Sequence, residues 1–198
     1  MRLCLRTDLG NQELNKSNSC FWVSLVLAGL LLPTTTFSSQ AEDRNAAFSL
    51  SLLQPAPLVA ATHAGSNLVA VGDHGVVMLS ADGQAWRQSK HVPVDSLLTA
   101  VSFADALNGW AVGHGGTLLH TQDGGDTWSL QATLEDQPVI LSVWFENPQH
   151  GIVVGAYGYA SETRNGGQSW QRLTLSEDND YHLNQIFPGT DGMLFIAA

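Results

Sequence analysis

Tryptophan recurs at a fixed interval in this chain: Trp86, Trp128 and Trp170 stand 42 residues apart. Glycine keeps the same beat, with Gly72, Gly113 and Gly155 at intervals of 41 and 42. Three segments therefore align. They are Leu68 to Trp86, Gly109 to Trp128 and Gly151 to Trp170, each with an apolar run, a glycine-bounded turn, a second apolar run and a polar turn into tryptophan. Self-similarity at this period means stacked supersecondary units, because one such unit cannot bury its own apolar face.

Each copy reads as four short strands. The first is an apolar run, at 98–103, 140–145 and again 183–187. The second ends at the Val-Gly pair, and the Gly-x-x-Gly that follows predicts a tight hairpin in which glycine supplies positive φ. The third runs to Ser80, Thr121 or Thr163, and a fourth begins at the tryptophan. Helical periodicity is absent after the N-terminal segment. Four antiparallel strands per copy predict an all-β propeller, with blades at about 58–96, 97–138 and 139–180 and a half blade at 181–198. Three and a half blades make an incomplete arc with open strand edges. Two expectations follow: that the chain is a fragment of a larger propeller, or that two copies self-associate through the open edges to complete a ring.

The turn before the tryptophan carries the most specific pattern. It runs Thr121-Gln-Asp123-Gly-Gly125-Asp-Thr127-Trp128 and Thr163-Arg-Asn165-Gly-Gly167-Gln-Ser169-Trp170, with a copy one residue shorter at Ser80-Ala-Asp82-Gly83-Gln-Ala-Trp86. This is the Asp-box. Asp or Asn accepts backbone N–H groups across its own turn, the hydroxyl ties the turn to the strand, and glycines take left-handed conformations. The tryptophan is expected to bury its ring between neighbouring sheets. These positions read as structural rather than as metal ligands or acids.

Asp-box blades with Val-Gly-x-x-Gly before and Gly-Gly-x-Thr/Ser-Trp within resemble the photosystem II assembly/stability factor family of BNR-type propellers, over about residues 58 to 198. The resemblance implies an exported seven-bladed propeller, lumenal in photosynthetic cells and periplasmic otherwise. It also implies a factor that binds newly made membrane-protein subunits without catalysis or cofactor. The family's arginine-bearing docking surface does not carry over. After residue 41 the only Lys and Arg are Arg44, Arg87, Lys90, Arg164 and Arg172, and Arg87 and Arg172 follow the box tryptophans onto outer strands.

The N-terminus reads as a removable export signal. Residues 21–32 are apolar and uncharged, Arg2, Arg6 and Lys16 precede them, and Ser39-Gln40-Ala41 offers a small-x-small cleavage site. Twelve apolar residues are too few to span a bilayer comfortably. Signal 1–41 would be followed by a lead-in at 42–57. Cleavage removes both cysteines, Cys4 and Cys20, and takes the net charge from −10 to −11. Such an acidic chain argues against nucleic-acid binding and against docking on anionic lipid.

A binding module must be weighed against an enzyme, since sialidases and other glycoside hydrolases also use Asp-box propellers. Glycoside cleavage needs paired carboxylates or a tyrosine nucleophile, with cations holding an acidic sugar. The inner-strand runs 98–103, 140–145 and 183–187 contain no Arg, Lys, Asp or Glu. No phosphate loop, His-Glu-x-x-His or nucleophile elbow occurs. A non-enzymatic protein-binding propeller is the favoured reading, with a membrane-associated complex as partner and a carbohydrate-active propeller as the alternative. Asp73, His74, His114 and Tyr157 lie in the hairpins and are the candidate partner-facing residues. Asp73, His74 and His114 are metal-ligating types, but Ala156 and Tyr157 replace them in the third copy, so no metal is assigned. Trp110 and Trp144 are expected in the core, and Glu177 to Asp180 in a solvated loop.

Overall fold

The computed structural model describes residues 56–175, 181–189 and 193–198. The proposed signal, most of the lead-in and the acidic run at 177–180 lie outside these. All described residues belong to one compact unit, Ala41–Ala198.

The described residues form three four-stranded antiparallel sheets and one two-stranded sheet. The first holds β1 (Leu58–Ala64), β2 (Asn67–Gly72), β3 (Val77–Ser80) and β4 (Arg87–Gln88). The second holds β5 (Leu98–Phe103), β6 (Gly109–Gly113), β7 (Thr117–Thr121) and β8 (Ser129–Thr133). The third holds β9 (Ile140–Phe145), β10 (Gly151–Gly155), β11 (Ala160–Thr163) and β12 (Gln171–Arg172), and the fourth β13 (Gln185–Pro188) and β14 (Leu194–Ala197). Strands pair in chain order, so each sheet is a meander. The first strands of successive sheets, β1, β5, β9 and β13, lie against one another. This is a propeller arrangement with those strands innermost. Each outer strand starts one residue after its tryptophan rather than at it.

Hydroxyls on the inner strands join sheet to sheet. Thr99 Oγ1 donates to the Ile140 carbonyl at 2.6 Å, and Ser142 Oγ accepts from Ile186 N–H at 3.2 Å. The core lies in the seams between sheets. Val69, Val71, Val77 and Leu79 of the first sheet pack on Val101, Ala111 and Leu119 of the second and on Trp128 just before β8. Trp110, Val112 and Leu118 of the second pack on Val143, Phe145 and Val153 of the third, with Trp170 against the cluster. Trp110 is 1% exposed. Trp144 is half-buried against a third cluster formed with the fourth sheet.

The conserved rhythm of Gly72, Gly113 and Gly155 has a cause other than positive φ. Gly72 and Gly113 are extended, with φ of −168°. A Cβ at the three positions would sit 2.1–2.2 Å from the carbonyl oxygens of Pro57, Leu97 and Val139. The glycines permit a close crossing where the inner strand enters its sheet with a register shift.

Candidate functional site

The Asp-box turns build one edge of each sheet through repeated hydrogen bonding. In the second copy Thr121 Oγ1 donates to Asp123 Oδ1 at 2.8 Å and accepts from Gly125 N–H at 3.0 Å. Asp123 also accepts from Thr127 N–H at 2.9 Å and Thr127 Oγ1 at 2.6 Å. In the third copy Thr163 Oγ1 accepts from Gly167 N–H at 2.8 Å, and Asn165 Oδ1 accepts from Ser169 N–H at 2.9 Å. Asn165 Nδ2 donates to Ser169 Oγ, reversing the direction of the Thr127 bond. The indoles of Trp128 and Trp170 donate to the carbonyls of Gly125 and Gly167.

The shorter first copy differs. Ser80 Oγ accepts from Gly83 N–H at 2.8 Å, and Asp82 Oδ1 accepts from Gln84 and Ala85 N–H. The expectation that every box tryptophan buries its ring between sheets fails here, because Trp86 is 38% exposed whereas Trp128 is 2% exposed. Trp128 packs on the sheet before its own, and Trp170 joins the corresponding seam one sheet later. Among the described residues no sheet precedes the first, so the Trp86 ring has no such seam to enter.

Acidic groups on the box edge are engaged locally. Hydrogen bonds from the backbone of Ala85 and Gln84 lower the pKa of Asp82. Burial pushes Asp123 up, but the bonds from Thr127 and Thr121 outweigh it and its pKa is lowered. Asp126 is held down by Lys90, just past the first sheet, and by Arg87 of β4. His150 Nδ1 lies 2.9 Å from Glu146 and its Nε2 lies 2.8 Å from Glu162, which also binds Arg164. The bond to Glu146 raises the His150 pKa, Glu162 adds to it, and partial burial opposes both.

The opposite edge is built from the β2–β3, β6–β7 and β10–β11 hairpins and the linkers between sheets. Each hairpin is fixed to the linker that follows its sheet. Gly75 N–H donates to the Ser96 carbonyl, Gly116 to Pro138 and Gly158 to Tyr181, at 2.7–2.9 Å. This edge carries Asp73, His74, His114 and Tyr157. His74 and His114 share the hairpin but not the position. His114 aligns with Asp73 and Ala156, and His74 aligns with Gly115 and Tyr157. The aligned set of His74, Gly115 and Tyr157 is left-handed, with φ of 53°, 67° and 53°. His74 Nε2 approaches Asp73 at 3.7 Å. Among the described residues no three His, Cys, Asp or Glu side chains are grouped to hold a metal ion.

Sequence reasoning missed the surroundings of Tyr157. Its ring is 73% exposed and meets the His182 ring at a centroid distance of 5.0 Å. Beside it a groove runs along the seam between the second and third sheets, lined by Glu135, Asp136, Tyr157, Tyr159, Trp170 and Arg172 among others. Arg172 lies over the Tyr159 ring, 3.9 Å from its centroid. The sequence signal was the Tyr157-Gly-Tyr159 pair, where the other copies have His74-Gly-Val76 and Gly115-Gly-Thr117.

This architecture has known relatives. The sequence model of the family described as photosynthesis system II assembly factor YCF48 matches residues 78–137 and 130–196. The photosystem II stability/assembly factor HCF136, chloroplastic, of Cyanidioschyzon merolae is 42% identical over 52 residues, which cover 25% of this chain and 12% of that protein. Among solved structures, YCF48 bound to a D1 peptide superposes with a TM-score of 0.61 at 23% identity, covering 71% of this chain and 47% of that one. YCF48 from Cyanidioschyzon merolae gives a TM-score of 0.57 at 19% identity, covering 71% and 50%. An ancestral GH74 enzyme gives 0.57 at 18% identity, covering 73% of this chain and 22% of the enzyme. The structural likenesses show the propeller fold, and this chain spans about half the length of the solved YCF48 proteins. With the family model matching along most of the repeat region, the chain belongs to the photosynthesis system II assembly factor YCF48 family.

Proposed function

We propose that this chain is an exported, non-enzymatic binding factor that holds a segment of a membrane-protein subunit during assembly. The observation that carries the reading is the family match along 78–196. Two findings support it. A solved family member binds a D1 peptide. The hairpin edge of this chain presents side chains that its own fold leaves exposed, His74 and Tyr157 among them. We assign Asp73, His74, His114 and Tyr157 to the partner-facing edge, and the Asp-box residues to holding the opposite turns in shape. Residues 1–41 would direct export, to the periplasm or to a thylakoid lumen.

A carbohydrate-active propeller is the competing reading, and one experiment separates the two. The full chain is titrated calorimetrically with a D1 peptide, and in parallel incubated with a polysaccharide panel and a sialoside panel. Saturable peptide binding without sugar turnover is expected. Turnover of either sugar, or no heat with the peptide, would overturn the proposal.

A further inference from the structure

We propose that the groove between the second and third sheets is a peptide subsite. Its occupant is an extended partner segment with an apolar centre, an acidic side chain at one end and a Lys or Arg at the other. The inference rests on the protein-binding reading above and adds where and how a segment is held.

Among the described residues, the groove is where charge is left unpaired. Four Lys and Arg lie among the described residues. Arg87 and Lys90 both bind Asp126, and Arg164 binds Glu162. Arg172 alone has no carboxylate within 4.0 Å among the described residues, and instead stacks on the Tyr159 ring. That stacking orients the planar guanidinium while leaving its N–H edge available to a carboxylate, a geometry that favours two parallel hydrogen bonds. Glu135 and Asp136 line the same groove and likewise have no basic partner among the described residues. Opposite charges thus share one groove without neutralising each other, and a ligand carrying the complementary pair satisfies both.

The aromatic lining supplies the apolar contact. Tyr159 is 8% exposed and fixed by its contact with Ser161 Oγ at 3.2 Å, and Trp170 is half-buried. Tyr157 is the telling residue. It holds a left-handed φ of 53°, a conformation that is unfavourable for a non-glycine residue. The second sheet uses Gly115 at that position and avoids the cost. With its ring 73% exposed, Tyr157 recovers little of this by burial within the chain. An exposed aromatic ring held at an unfavourable backbone position beside an aromatic groove is what an anchor for a partner requires.

The test uses the full chain and four synthetic peptides with a common Leu-Phe-Leu centre. Their ends carry Glu and Lys, Glu only, Lys only, or neither. Tryptophan fluorescence reports binding. The Glu/Lys peptide is expected to bind most tightly, with each missing charge weakening it by about fivefold, the worth of one partly exposed ion pair. Arg172→Glu should remove the preference for the Glu end, and Glu135→Lys with Asp136→Lys the preference for the Lys end, at unchanged melting temperature. Tyr157→Gly should weaken all four peptides. Equal affinity for the four peptides, no binding of any, or affinities indifferent to Arg172→Glu would overturn the subsite. Binding of a D1 peptide that ignores these substitutions would overturn the groove while leaving the assembly reading intact. Panel binding with no D1 binding would do the reverse.

Discussion

At the scale of single residues, position in the repeat sets what each side chain is worth. Trp128 fills a seam and donates its indole N–H to Gly125, so Trp128→Ala should cost about 3–5 kcal/mol. Trp86 has the same place in the motif and is 38% exposed. Trp86→Ala should cost markedly less, and urea unfolding of the two variants checks the contrast. The tryptophan period was plain in the sequence, but the difference in burial was not, because it depends on which sheet stands in front. His120 was also illegible. Its ring stacks on Trp110 at 4.7 Å, burial lowers its pKa, and its buried Nε2 has no hydrogen-bond partner among the described residues. His120→Phe keeps the stack and removes the unsatisfied nitrogen, so it should raise the melting temperature, equivalent to a gain of about 1 kcal/mol.

At the scale of elements, the Asp-box and the β9–β10 turn respond to acid in opposite ways. Asp123 has a lowered pKa, so its contribution is present above about pH 3.9 and is lost as pH falls through the lowered value. Asn165 fills the same place in the third copy and does not titrate. Asp123→Asn should therefore flatten the acid limb of the stability curve while keeping the turn. His150 has a raised pKa, so its contribution is complete below about pH 6.5 and is lost as pH rises through the raised value. His150→Gln should remove that component, seen as a smaller fall in melting temperature between acid and neutral pH. The box was readable from spacing because its bonds are local, within four residues. The His150 cluster was not, because Glu162 reaches it from the neighbouring strand, 12 residues on. The hairpin glycines were legible as a pattern, yet their reason differed. A carbonyl crossing at Gly72, Gly113 and Gly155 cannot be seen without the incoming inner strand.

At the scale of the molecule, the two edges of the sheets differ in how they use charge. On the box edge, Asp82, Asp105 and Asp123 bind their own turns, and Asp126, Glu146 and Glu162 bind basic side chains. On the hairpin edge, Asp95, Glu135 and Asp136 have no basic partner among the described residues. Asp73 is the exception on that edge, since it accepts from His74 N–H at 2.8 Å, while the linker carboxylates stay open to solvent or a partner. Sheet order and strand count followed from the period together with the apolar runs and turn motifs inside it. The functional edge did not, because hairpins and linkers far apart in sequence meet there only after the sheets form. Hydrogen exchange of the full chain with and without a D1 peptide tests this assignment most directly. Protection is expected at the hairpins 72–76, 113–117 and 155–159, at the linker 134–139 and at the Trp170 side of the groove, with the Asp-box turns 80–86 and 121–128 unchanged. Protection confined to the Asp-box turns, or no change at either edge, would contradict it.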